Sequence, residues 1–136
     1  MYGLSTSLID KHYIPRFIKK NNIDNITSAT RLKDLICDIL DEKNASNIKS
    51  FNLKDNYIAK YIIISNYFSQ TESQTAAKYI EMCIKKYSSY IVYRNKNQIT
   101  SWFTVDVEDI IVHIFANENV RKYYDIESLL FNHKIA

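Results

Sequence analysis

The sequence predicts a mixed α/β domain: a five-stranded mixed sheet flanked by helices. Three observations predict it. Two long segments carry apolar residues at helical spacing, several strand-length runs rich in Ile, Val, Tyr and Phe lie between and after them, and the two kinds of segment follow one another as α-β-β-α-β-β-β-α. A chain of 136 residues fits one domain and can bury a core of ordinary stability.

The elements follow in order. In "ITSATRLKDLICDILDEKN", Leu32, Leu35, Ile36, Ile39 and Leu40 form one stripe of an amphipathic helix over 28–43, with Thr27 or Ser28 to cap its start. "NIKSFNLK" sets Ile48, Ser50 and Asn52 opposite Lys49, Phe51 and Leu53, the alternation of a strand. "IAKYIIIS" is β-branched on both faces and reads as a central strand. Ser69 and Glu72 have capping-box spacing and open a helix whose stripe is Ala76, Tyr79, Ile80, Cys83, Ile84 and Tyr87. "SSYIVYRN" reads as a third strand. "TSWFTVDV" and "DIIVHIF" are two more, joined at Glu108 by a connection too short for a helix, so they pair antiparallel. "NENVRKYYDIESLLFN" is helical, opened by Asn117 and broken near Tyr124–Asp125.

Composition narrows the function. The net charge is +3 with a pI near 8.7, and the only basic grouping is Arg16, Lys19 and Lys20, so sequence-specific reading of nucleic acid is not indicated. Cys37 and Cys83 fall in helical patterns with neither disulfide nor zinc spacing, which points to a reducing compartment. No apolar run reaches the roughly 18–20 residues of a membrane span. Residues 1–27 are mildly basic and acid-poor. They read as a flexible or partly helical extension, with a mitochondrial presequence as the alternative, ahead of a domain over 28–136. The single Gly and single Pro beside many Asn, Lys, Ile and Tyr suggest an AT-rich genome, which concerns coding and not function.

The candidate chemistry lies in "TVDVEDIIVHIF". Asp106 and Glu108 are an i, i+2 pair that would share one face of a strand, the spacing a metal-dependent nucleotidyltransferase uses to hold Mg²⁺ against a triphosphate. That chemistry also needs a glycine-rich phosphate cradle, and the only glycine is Gly3. His113 has neither a nucleophile motif nor a second His at ligand spacing, since His12 and His133 lie near the termini; no metal site or cofactor is indicated. Trp102 has two readings, a core residue or an exposed aromatic anchor at a protein interface. Arg121, Tyr123, Tyr124, Asp125 and Glu127 read on composition as a solvated helix face with some i, i+4 pairing.

Taken together, "WFTVDVEDIIVHIFANENVRKYYDIESLL" resembles the C-terminal signature of the ribosomal silencing factor, or iojap, family. Trp102, Asp106, Asp109, Val112, His113, Phe115, Arg121, Tyr124, Asp125, Glu127 and Leu129 stand at matching places, and the likeness extends upstream to about Leu32. The chain departs from the pattern at four points. Asn66, Tyr67 and Phe68 replace a small-residue turn, Glu108 replaces a hairpin glycine, "NKNQITSW" lacks the glutamate–glycine before the tryptophan, and Leu130 replaces a final tryptophan.

The resemblance implies a fold similar to nucleotidyltransferases without working catalytic elements, hence no enzyme and no cofactor. It implies binding to ribosomal protein fourteen on the large subunit, close to rRNA, which blocks joining with the small subunit and represses translation, or a role in large-subunit assembly. A homodimer and a bacterial cytoplasmic location, or alternatively a mitochondrial matrix one, also follow from it. Under this reading Trp102, Asp106, Asp109, His113, Phe115, Arg121, Tyr124, Asp125 and Glu127 contact the partner or support the contact.

Overall fold

The computed structural model describes residues 9–53, 59–97 and 100–133, without the side chains of 131–133. Gly3, the Ile58 that opens the expected second strand, and the His133 side chain therefore lie outside the described residues. Helix α1 spans Arg16–Asn21 and α2 Ala29–Glu42; β1 is Ser46–Asn52, β2 Tyr61–Asn66, α3 Gln70–Tyr87, β3 Val92–Arg94, β4 Trp102–Val107 and β5 Ile110–Phe115; two short helices, α4 (Glu118–Tyr124) and α5 (Ile126–His133), close the chain. The sheet has five strands in the order β1-β2-β5-β4-β3, and only the β2–β5 pair is parallel.

The local signals act as expected at most ends. Ser28 Oγ accepts from Arg31 N, and Leu32, Leu35, Ile36, Ile39 and Leu40 are all buried along α2. Ser69 Oγ accepts from Glu72 N at 3.2 Å and meets the Glu72 carboxylate at 3.3 Å, which starts α3. Every residue of β2 is buried, because helices cover both faces of its half of the sheet. β4 and β5 form a two-residue hairpin in which Glu108 takes φ 49. That is the left-handed region where glycine costs nothing and a glutamate costs on the order of 1 kcal/mol.

One segment differs from expectation. The third strand is confined to three residues because α3 runs on to Tyr87 and Ser88 caps it, its N–H and hydroxyl both donating to Ile84 O. Residues 9–27 are packed against the domain, with Ile18 and Ile26 buried and Tyr13, Phe17 and Ile23 against the main core. The N-cap of α1 is Pro15, which has no capping side chain, and α2 supplies the caps instead. Glu42 accepts from Arg16 N at 2.8 Å and Asp38 from Phe17 N at 2.7 Å, while the Arg16 guanidinium pairs with Asp38 and Asp41. Burial alone would raise the Glu42 carboxyl, but the Tyr13 hydroxyl and the Arg16 N–H that it accepts hold it below the usual carboxylate range. The Lys43 ammonium lies 4.0 Å from the rings of both Tyr13 and Tyr79 and fastens the same strap.

Candidate partner-binding face

Strand alternation decides which way the hairpin faces. Phe103, Val105 and Val107 of β4 and Ile110, Val112 and Ile114 of β5 point into the core under α2 and α3 and are fully buried. Trp102, Thr104 and Asp106 point the other way, with Ile111, His113 and Phe115 opposite them in register. On that second face α4 and α5 cover the β1–β2 half, where Ile62, Ile64, Phe115 and Leu130 are buried together. Among the described residues no helix covers the β3–β4–β5 half in this way, and Tyr93 on it is 67% exposed.

Trp102 stands at the boundary between the covered and open halves. Its ring centroid lies 5.2 Å from Phe115 and 4.6 Å from Tyr124, and Tyr123 meets Tyr124 edge-on at 5.1 Å. Its Nε1–H donates to His113 Nδ1 at 3.0 Å. Nδ1 being the acceptor, the neutral imidazole carries its proton on Nε2. Both readings of Trp102 are thus partly met: it is half-buried, and its open edge continues into the exposed Tyr124 and Tyr123.

Burial pushes the His113 imidazole down to about 4. The unfolded chain takes up that proton near pH 6.5 and the folded protein only near 4, so the stabilisation is complete above 6.5 and is lost as pH falls through that window. The expected loss is about 2 kcal/mol for this half-buried group, read as a falling midpoint in urea titrations between pH 7 and 4.5. His113→Gln, which keeps an acceptor for the indole N–H, flattens the profile there. Glu42, Glu81 and Glu127, all held below the usual range, add their own acid lability at lower pH.

The remaining predicted positions separate. Arg121 is not on a solvated face; it is 3% exposed. Its Nε and Nη2 donate to the two oxygens of Glu127 at 3.0 and 3.1 Å, and its Nη1 donates to Asn47 O at 2.7 Å and Asn66 Oδ1 at 2.9 Å. The bulge at Asn47, which takes φ 50, turns that carbonyl toward the guanidinium. The i, i+4 ion pair on α4 is Glu118–Lys122 at 3.4 Å, outside the cluster in which such pairing is expected. Asp125 takes φ 46, ends α4 and accepts from Ser128 Oγ at 2.6 Å, so it sets the angle between the two closing helices. Phe115 is buried behind Trp102. Asp109 lies at the hairpin turn, the far end of the strands from Trp102, where its carbonyl accepts from Lys60 N and Tyr61 N.

The acidic pair does not converge. β4 ends at Val107, and the left-handed turn swings Glu108 away to accept from Ile91 N at 2.8 Å, so that carboxylate anchors the edge strand while Asp106 remains on the open face. Among the described residues no three His, Cys, Asp or Glu side chains gather as a metal site would require. Between β2 and α3, where small residues would leave room for a phosphate, the Tyr67 ring is buried and its N–H donates to Phe115 O at 2.9 Å, while Phe68 is 79% exposed. The thiols offer no nucleophile: burial pushes Cys37 up to about 11 and Cys83 up to about 12.

A family model described as "ribosomal silencing factor during starvation" matches residues 26–135. The chain belongs to the ribosomal silencing factor family. It is 29% identical over 99 residues to the ribosomal silencing factor RsfS of Zymomonas mobilis, across 72% of this chain and 74% of that one. The fold is shared with a crystal structure of a protein from Chromobacterium violaceum (TM-score 0.71, 20% identity, 81% of this chain and 92% of that one). A Bacillus halodurans crystal structure is also similar (TM-score 0.63, 23% identity, 74% and 93%). Membership makes this protein a ribosome-associated regulatory factor of the silencing type. No helix among the described residues is long and apolar enough to cross a membrane.

Proposed function

We propose that this silencing factor binds the large ribosomal subunit at ribosomal protein fourteen through the open β3–β4–β5 face, and that occupying this surface sterically blocks joining with the small subunit. The observation that carries the reading is the placement of Trp102. A rigid hairpin holds it with a single rotatable side chain already stacked on Phe115 and Tyr124 and hydrogen-bonded to His113. A pre-ordered aromatic anchor of this kind loses little entropy on docking, and the exposed Tyr124 and Tyr123 continue it outward. An interface of ordinary size, roughly 800 Å² on each side, suffices to exclude a competing subunit. No chemistry is required, and the Glu108 carboxylate that the enzymatic alternative needs is engaged with the edge strand.

The test is co-sedimentation of the purified protein with isolated large and small subunits. Pelleting with the large subunit alone, with 70S-type joining suppressed in proportion to occupancy, is the expected result. Pelleting with neither subunit, or binding without any effect on joining, overturns it. Sedimentation of the free protein across concentrations in the same series reads out the homodimer, whose formation through this face would compete with the ribosome.

A further inference from the structure

The open face has three rows across its strands: Tyr93–Asp106–Ile111, then Thr104–His113, then Trp102–Phe115. Within them the only formal charge is the Asp106 carboxylate, because His113 is neutral and no Lys or Arg belongs to the rows. Asp106 is exposed, and neither its carboxylate nor the Tyr93 hydroxyl has a hydrogen bond or ion pair with any described residue. The two are direct register partners, which brings their side chains together on one face at about 5 Å between Cβ atoms. On a chain of net charge +3, the proposed docking face is locally anionic.

Resting on the reading of that face as the ribosome-binding surface, we propose that Asp106, with the Tyr93 ring beside it, is its cation-recognition point. The partner surface it fits is a protein surface that presents an Arg or Lys side chain next to an apolar patch. A guanidinium can fork onto the carboxylate and lie along the tyrosine ring, while Ile111 and Trp102 take the apolar neighbour. An RNA backbone would set phosphate against an unpaired carboxylate, so rRNA is excluded from this part of the face.

The experiment measures binding to isolated large subunits at low and at physiological salt for the wild type, Asp106→Asn, Asp106→Lys and Tyr93→Leu. Asp106→Asn binds about tenfold more weakly at low salt and loses much of the salt dependence; Asp106→Lys binds about a hundredfold more weakly. Tyr93→Leu, which keeps apolar area but not the ring face, costs about threefold. Thermal unfolding of Asp106→Asn stays at the wild-type midpoint, since its carboxylate has no partner to lose. Wild-type binding that is unchanged in Asp106→Lys overturns the cation point and leaves the docking face standing. Tighter binding of Asp106→Lys overturns it in favour of RNA contact. Failure of the wild type to bind the large subunit removes the docking face and the cation point together.

Discussion

Arg121→Met unfolds at markedly lower urea, with a loss of about 3–5 kcal/mol. The side chain is almost wholly inside, and it donates four hydrogen bonds: two to Glu127, one to the Asn47 carbonyl and one to the Asn66 amide oxygen. Methionine fills a comparable volume but leaves those acceptors with no donor. Lys49, 3.6 Å from Glu127, can neutralise the carboxylate only in part. The cost is therefore the desolvation of orphaned acceptors more than the value of the ion pair itself. Arg121→Met with Glu127→Leu recovers a large share of the loss, because an apolar pair does not need what the lone carboxylate needs. Arg121→Lys recovers little, since one ammonium cannot fork onto Glu127 and also reach β1 and β2. A double-mutant cycle by urea denaturation checks this: strictly additive single losses would show that Arg121 and Glu127 are not coupled.

The same network explains why sequence reasoning placed Arg121 in solvent. Its main partner is six residues ahead, a spacing that no continuous helix brings together. The two meet only because Asp125 turns into the left-handed region and lays α5 back against α4. The remaining partners, Asn47 and Asn66, come from β1 and β2 and leave no local mark in the sequence. The α1 strap was illegible for the same reason: its caps are the Asp38 and Glu42 carboxylates, more than twenty residues away.

What was legible was local or periodic. The α2 stripe, the Ser28, Ser69 and Asn117 caps, the doubly buried β2 and the β4–β5 hairpin all rest on side chains within a few residues of one another. Alternation along β4 sets Trp102–Thr104–Asp106 opposite Phe103–Val105–Val107, but it does not say which set faces water. That is settled by α2 and α3 both crossing the same side of the sheet, a tertiary fact. Glu108 shows the limit from the other direction. A glutamate where a glycine is expected announces strain, yet the compensating bond to Ile91 N is visible only in the fold.

Trp102→Ala is expected to weaken binding to the large subunit by at least about thirtyfold, equivalent to about 2 kcal/mol, the range in which a central aromatic anchor falls. Trp102 differs from its neighbours in that it is already ordered on both sides, by Phe115 beneath it and Tyr124 beside it. The substitution also uncovers Phe115 and removes the donor from His113 Nδ1, so stability falls by about 2–3 kcal/mol as well. Two companions separate the effects. Phe103→Ala, one residue on but fully buried on the opposite face, loses about 3–5 kcal/mol of stability and keeps wild-type affinity per folded molecule. Trp102→Phe keeps an aromatic ring against Tyr124 while giving up the indole N–H, and should bind within several-fold of wild type. Affinities are measured well below the midpoint of each variant's thermal transition. Equal losses of affinity in Phe103→Ala and Trp102→Ala would mean that binding tracks global stability and that Trp102 is not the anchor. A loss confined to Trp102→Ala places the partner on the open side of the hairpin, because the two residues are adjacent in sequence and differ chiefly in the face to which the strand turns them.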